Sequence, residues 1–194
     1  MQNITMQLTD MESGQIIARA REHSVTTNQL CQLGWAHTLS KATGKKDIVF
    51  NTTLVKRPSS ILDIDRMMGV FSATPPLRIN VNGDVSRALS QIAESSAERL
   101  EYGFLDLNEY DEEWVPTTRS GTLFVFNNQM GHEIQPLHPK TKILTLERLG
   151  TVSGTSHQII MSVTSGHAMS FNLFFDSTEI REEVANQSAT GVHP

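Results

Sequence analysis

Gln2 to Leu8 alternates polar and apolar residues with a period of two, the pattern of a strand with one covered face. Thr9-Asp10 then offers an N-cap, and Ile16, Ile17 and Ala20 recur at helical spacing within Met11 to His23. A second helix is predicted from about Asn28 to Lys41. Thr26 or Thr27 caps it, Leu30, Leu33, Gly34, Trp35 and Leu39 supply a broad apolar face, and Thr43-Gly44 stops it. Asp47 to Val55, D-I-V-F-N-T-T-L-V, is β-branched and aromatic enough for a buried strand.

Beyond it, Pro58, a serine pair and Pro75-Pro76 forbid regular helix, so the chain is expected to run as a loop, a short turn to Gly69 and an irregular extended passage. Leu77 to Val81 alternates as a strand, Asn82-Gly83-Asp84 makes a turn with Asp84 as N-cap, and Val85 to Leu100 is an amphipathic helix. Its inward face is predicted to hold Val85, Leu89, Ile92, Ala93, Ser96 and Leu100, and its outward face Arg87, Glu94, Glu98 and Arg99. One more short helix is predicted within Phe104 to Trp114. The last third reads as four strands, Leu123 to Phe126, Ile143 to Leu149, His157 to Thr164 and His167 to Asp176, the final two joined by a tight Ser165-Gly166 turn. Ser177-Thr178 caps a closing helix to about Asn186, and residues 188–194 are expected to form a flexible tail. Helices interleaved with strands give an α/β chain, a two-layer α+β sandwich of one mixed sheet covered by helices, in one domain over residues 1–187.

Composition keeps this picture within ordinary globular bounds: 194 residues, 38% hydrophobic and 19% charged. Sixteen basic against 21 acidic residues give a net charge of -5, and no Lys/Arg run exceeds two, which argues against a nucleic-acid surface. A single cysteine, Cys31, excludes an internal disulfide and a cysteine zinc cage, and fits a reducing compartment. The start has no basic region followed by an apolar run, and no window approaches 18 uninterrupted apolar residues. The expectation is a cytoplasmic protein that meets neither nucleic acid nor membrane.

Residue types alone assemble no active site. His132 and His138 lie in G-H-E-I-Q-P-L-H-P, which matches no metal spacing, so no metal is expected. His157 and His167 could face each other across the last hairpin as an acid–base pair, although paired edge histidines are the commoner outcome. There is no G-x-S-x-G elbow and no phosphate-binding glycine loop. Cys31, beside Leu30 and Trp35, reads as a small buried hydrophobe, and Glu109 to Glu113 as a solvated helix face.

Longer passages do carry a resemblance. T-T-N-Q-L-C-Q-L-G-W-A-H-T-L-S-K-A-T-G-K-K-D-I-V-F-N-T-T, with Trp35-Ala36, Thr43-Gly44, Asp47 and Val49-Phe50, resembles a helix and following strand of the condensation domains of nonribosomal peptide synthetases, in the chloramphenicol acetyltransferase superfamily. K-R-P resembles the family's G-R-P, and D-R-M-M-G-V-F-S-A-T-P-P-L-R its M-V-G-x-F-x-N-T-L-P-x-R motif. G-T-L-F-V-F-N-N and V-T-S-G-H-A-M-S-F-N-L-F-F-D resemble a later strand and the closing hairpin, so the likeness to the family's C-terminal lobe runs from about Gln2 to Asn186. Lys56, Ala73 and Pro75-Pro76 depart from the pattern, which usually has Gly, Asn and Leu-Pro there.

The resemblance implies one chloramphenicol acetyltransferase-like lobe, the acceptor-side half of an amide-forming enzyme. The family's His-His-x-x-x-Asp-Gly motif belongs to an N-terminal lobe, and these 194 residues contain no His-His pair. The lobe is then inactive alone, with no catalytic residue of its own and no resident cofactor, the substrates riding on phosphopantetheine arms of carrier proteins. The implied partners are the N-terminal lobe and peptidyl carrier proteins, with self-association through an exposed seam near residues 55 to 80. Arg57 resembles the arginine that pairs with the motif aspartate across the seam, a task suited to a guanidinium fork. Gly69, Phe71, Thr74, Arg78 and Tyr102 resemble positions that line the tunnel or the seam. The alternative implied by the same fold is a non-catalytic module that binds a carrier or another partner.

Overall fold

A computed structural model describes residues 2–55, 57, 61–102, 121–128 and 157–178. Six strands form one mixed sheet: β1 (Gln2–Gln7), β2 (Asp47–Thr52), β5 (Pro76–Asn80), β6 (Thr122–Asn128), β7 (Ile159–Ser165) and β8 (Ser170–Phe175), in the order β1-β8-β7-β6-β2-β5. The β6 strand runs parallel to both β2 and β7, and the remaining pairs are antiparallel. Alternation sets the faces. Phe50, Leu77, Ile79, Phe124, Met161, Val163, Leu173 and Phe175 point into one core with Leu33, Trp35, Ala36, Leu89 and Ile92 of the helices.

Three helices cover that face: α1 (Asp10–Glu22), α2 (Thr27–Thr43) and α3 (Val85–Tyr102), with α2 between the other two, α2 against β2 and α3 against β5. Both α1 and α2 begin with reciprocal capping boxes, Thr9 with Glu12 and Thr26 with Gln29. Gly44 closes α2 at φ 71°, a left-handed conformation that costs a residue without Cβ little, and donates its N–H to the Ser40 carbonyl. Ser13, fully buried, ties α1 to the sheet: its hydroxyl donates to the Thr9 carbonyl and accepts the Met169 N–H at 2.9 Å.

Several expectations need correction. The predicted Asp47 to Val55 strand ends at Thr52: the Thr53 N–H makes the last bond to β6, to the Phe124 carbonyl, and the chain then leaves the sheet. Leu54–Val55, now β3, pairs instead with Ser72–Ala73, β4, in a small antiparallel ribbon that the alternation did not reveal. The strand expected at Leu77 begins at Pro76, whose missing N–H is tolerated because β5 is an edge strand. On α3, Val85 and Leu100 are each 44% exposed, while Arg99 is half-buried and donates to Ser95 and Ser96. The helix predicted within Phe104 to Trp114, the strand at Ile143 to Leu149, the closing helix after Thr178 and the tail lie outside the described residues.

Candidate functional site

The loop between β3 and β4 gathers three of the singled-out residues. Asp63, at φ 57°, turns the chain into a single 3-10 turn over Ile64–Arg66. Arg57 ties the two ends of that turn: its Nη1 donates to the Ile64 carbonyl at 2.7 Å and to the Met67 carbonyl at 3.2 Å. The Ile64 oxygen also accepts the Met67 N–H, using its second lone pair. The guanidinium carbon lies 4.3 Å from the centroid of Phe71, within cation–π range. Gly69 meets the same ring, since a Cβ added there would sit 3.4 Å from a Phe71 ring carbon. Arg57, Gly69 and Phe71 therefore form one unit.

Around that unit the surface is apolar. Val55 is 65% exposed, Leu62 85%, Met68 100% and Val70 90%, and Ile61 and Met67 are also exposed. Nine large hydrophobic residues are exposed among the described ones, and six of them fall between residues 55 and 70, a concentration typical of a surface that meets something else. The apolar residues occupy 55–70, the first part of the stretch over which an apolar seam was expected.

The other singled-out residues lie apart. Thr74 enters through its backbone: its carbonyl accepts the Asn51 Nδ2 hydrogen at 2.8 Å, and beside it Thr52 donates its N–H to the Pro75 carbonyl. Buried Gln32 braces the same strand end, donating through Nε2 to Thr52 Oγ1 at 3.1 Å. Asn51, Thr52 and Gln32 were not foreseen as a cluster, although polar residues inside an otherwise apolar buried strand were the available signal. Arg78 extends along β5 to Asp47 on β2, with Nη2 2.6 Å from Oδ2 and Nε 2.9 Å from Oδ1. The hydrogen bonds and charge of Arg78 hold the Asp47 carboxyl below the usual carboxylate range. Tyr102 is the last residue of α3, and its side chain lies outside the described residues.

The histidine pair does not assemble. His157 precedes β7 and His167 sits in the turn between β7 and β8, so the hairpin register puts them at opposite ends, with Ile159 opposite Phe175 and Thr164 opposite Ser170. Burial lowers the His157 pKa from its ordinary value. Cys31 is buried, and desolvation pushes its thiol up to about 12. Among the described residues no group of His, Cys, Asp or Glu is arranged to hold a metal, and no helix is long and apolar enough to cross a membrane.

The chain matches the family model described as Condensation domain over residues 1–187. It is 26% identical over 178 residues to a linear gramicidin synthase of Brevibacillus parabrevis, covering 88% of this chain and 3% of that protein. In structure it is similar to the first condensation domain of the calcium-dependent antibiotic synthetase, solved with a substrate analogue: TM-score 0.69, 14% identity, 98% of this chain and 43% of that one. It is also similar to the X-domain from teicoplanin biosynthesis, solved in complex with OxyB: TM-score 0.72, 15% identity, 98% of this chain and 44% of that one. The chain thus spans under half of these solved neighbours and a small fraction of the curated relative. A mixed sheet under three helices, an apolar rim around Arg57 and a family match over 187 residues converge on one conclusion: this chain belongs to the condensation-domain family.

Proposed function

We propose that this chain is the acceptor-side, C-terminal lobe of a condensation domain that forms amide bonds in nonribosomal peptide synthesis. A second lobe brings the His-His-x-x-x-Asp-Gly loop to the seam. The observation that carries this reading is the apolar rim of Leu62, Met68 and Val70 around a guanidinium with no carboxylate partner among the described residues. Its coverage of 43% of a solved condensation domain leaves room for a second unit of similar size. The rim would also let a lone lobe meet a second copy of itself.

The reaction needs no resident cofactor. Two carrier proteins present a donor thioester and an acceptor amine on phosphopantetheine arms, and confinement between the lobes raises their effective concentration. The amine nitrogen bonds to the thioester carbonyl carbon, the C–S bond breaks, and the proton lost by nitrogen passes through the motif histidine to the departing thiolate. This lobe contributes the wall of the channel, with Gly69, Phe71, Thr74, Arg78 and Tyr102 as lining positions. Arg57 contributes an anchor for the motif aspartate.

The test mixes this chain, a separately produced lobe bearing the motif, and two loaded carriers, and follows amide product by mass. Neither lobe alone should turn over, the mixture should, and Arg57→Ala should cut the mixture's rate at least about tenfold. Amide product from this chain alone overturns the reading. The second reading, a non-catalytic docking module, is favoured by the likeness to an X-domain solved with OxyB. Carrier binding without any second lobe, at an affinity untouched by Arg57→Ala, would support it over the first.

A further inference from the structure

Among the described residues, three buried side-chain atoms make no hydrogen bond: Asn28 Oδ1, Gln32 Oε1 and Trp35 Nε1. All three come from α2, at spacings of four and three residues, so they share one face of the helix with successive members one turn apart. Gln32 is 3% exposed and Trp35 2%. The Gln32 amide is held between α2 and the sheet, because its Nε2 donates to Thr52 Oγ1 at 3.1 Å, and its oxygen is the atom left over. Long side chains on a helix lean toward its N-terminus, which brings the Trp35 indole back over the turn that holds Gln32, and Gln32 back toward Asn28. Native structures keep few unmet buried polar atoms, and three on one helix face call for a common partner.

The chemistry of the three atoms selects that partner. Two are amide oxygens, which only accept, and one is an indole N–H, which only donates. A cation could give hydrogens to both oxygens but could not take one from the indole. An anion would meet two oxygens that repel it. An alcohol hydroxyl, with a single hydrogen, would leave one oxygen unmet. Water has two hydrogens to give and a lone pair to receive the third, and buried waters typically make about three hydrogen bonds.

We propose that α2 holds one internal water against the sheet, which donates to Asn28 Oδ1 and Gln32 Oε1 and accepts the Trp35 N–H. Through the Gln32–Thr52 bond this water ties the first three turns of α2 to the last residue of β2, where the chain is about to leave the sheet for β3. The site belongs to the lobe's own interior and stands whether or not a second lobe completes the enzyme.

Nuclear magnetic resonance on the whole chain tests it. The chain has two tryptophans, so Trp114→Phe leaves the indole hydrogen of Trp35 as the one signal of its kind. That hydrogen should show a cross-peak to water in both the laboratory and the rotating frame, with the opposite signs of a long-lived contact and not the equal signs of chemical exchange. Asn28→Ala removes one of the two acceptors and should abolish the cross-peak by shortening the water's stay. A cross-peak missing from the Asn28-containing chain overturns the proposal, and one that survives Asn28→Ala unchanged overturns the sharing of a single water.

A double-mutant cycle reads the same sharing as stability. Asn28 and Trp35 are seven residues apart, so Asn28→Ala and Trp35→Phe should lower the urea midpoint independently unless something joins them. With one water between them, the double variant should lose clearly less than the sum of the two single losses, because either replacement already disrupts the common partner. Strictly additive losses overturn the shared water. If Trp35→Phe fails to fold, the response of the indole cross-peak to Asn28→Ala decides alone.

Discussion

Two arginines of this chain answer to different physics. Arg78 pairs with Asp47 on the exposed surface, its side chain 74% accessible and the carboxylate's 47%, where solvent screening leaves the pair little weight in stability. Arg57 serves backbone carbonyls at a turn, where losing the donor leaves a loop without its tie. The family resemblance picked out both positions in the sequence, and Arg57 for its seam role. It gave no hint of the Ile64 and Met67 carbonyls, because those acceptors exist only once Asp63 has turned left-handed. Cys31 was legible from its neighbours as a buried hydrophobe, and its chemistry follows. With a folded-state pKa of about 12 the thiol stays protonated at pH 8, so the native chain should resist thiol-specific alkylation until it is unfolded in denaturant. The sign of the linkage is fixed too. The unfolded thiol ionises from about pH 8.5 while the folded one does not, so this group's contribution to stability is intact below that pH and is lost between about 8.5 and 12. Rapid native alkylation at pH 8 would contradict the burial.

Among the elements, the helices were the most legible, because their signals are local. Of the two caps expected, Thr26 or Thr27, it is Thr26 that caps α2, in a capping box with Gln29, and Gly44 takes the left-handed stop. Thr26→Ala removes the hydroxyl that accepts the Gln29 N–H at 3.2 Å, and should lower stability by about 1 kcal/mol, read as a reduced urea midpoint with an unchanged slope. A changed slope would mean that α2 opens separately from the sheet. Strand ends were less legible because they depend on partners far away in sequence. Thr53 makes the last bond to β6, to the Phe124 carbonyl, and Leu54 then pairs with Ala73, contacts that no window of neighbouring residues contains. The α3 stripe was right at Leu89 and Ile92 and failed at its two ends, where Val85 and Leu100 are exposed. Ser13 shows the same limit, since a serine in a helix reveals nothing of the Met169 N–H that it accepts from a residue 156 positions away in sequence.

For the molecule as a whole, one face of the sheet carries the helices and the core, and the apolar excess is displaced to one rim. The mixed order β1-β8-β7-β6-β2-β5 was legible as a class but not as a register, because β2, β6 and β7 become neighbours only through long connections. Leu62, Met68 and Val70 are nearly as open as in an unfolded chain, and covering each is worth roughly 1.5–3 kcal/mol. Six such side chains in a pair of copies come to roughly 9–18 kcal/mol if wholly covered, and immobilising two molecules takes back about 4–15 kcal/mol, so little net gain remains. The isolated chain should therefore self-associate weakly, with a dissociation constant in the micromolar range or above, seen as a sedimentation coefficient that rises with concentration. Met68→Glu with Leu62→Lys should abolish that rise and leave the melting temperature unchanged, because neither side chain belongs to the buried core. A completing lobe in excess should suppress the rise in the wild type by covering the same rim. If the wild type instead stays monomeric at millimolar concentration, the rim is not a contact surface for a second copy, and its exposed methionines must be kept for a partner of different shape.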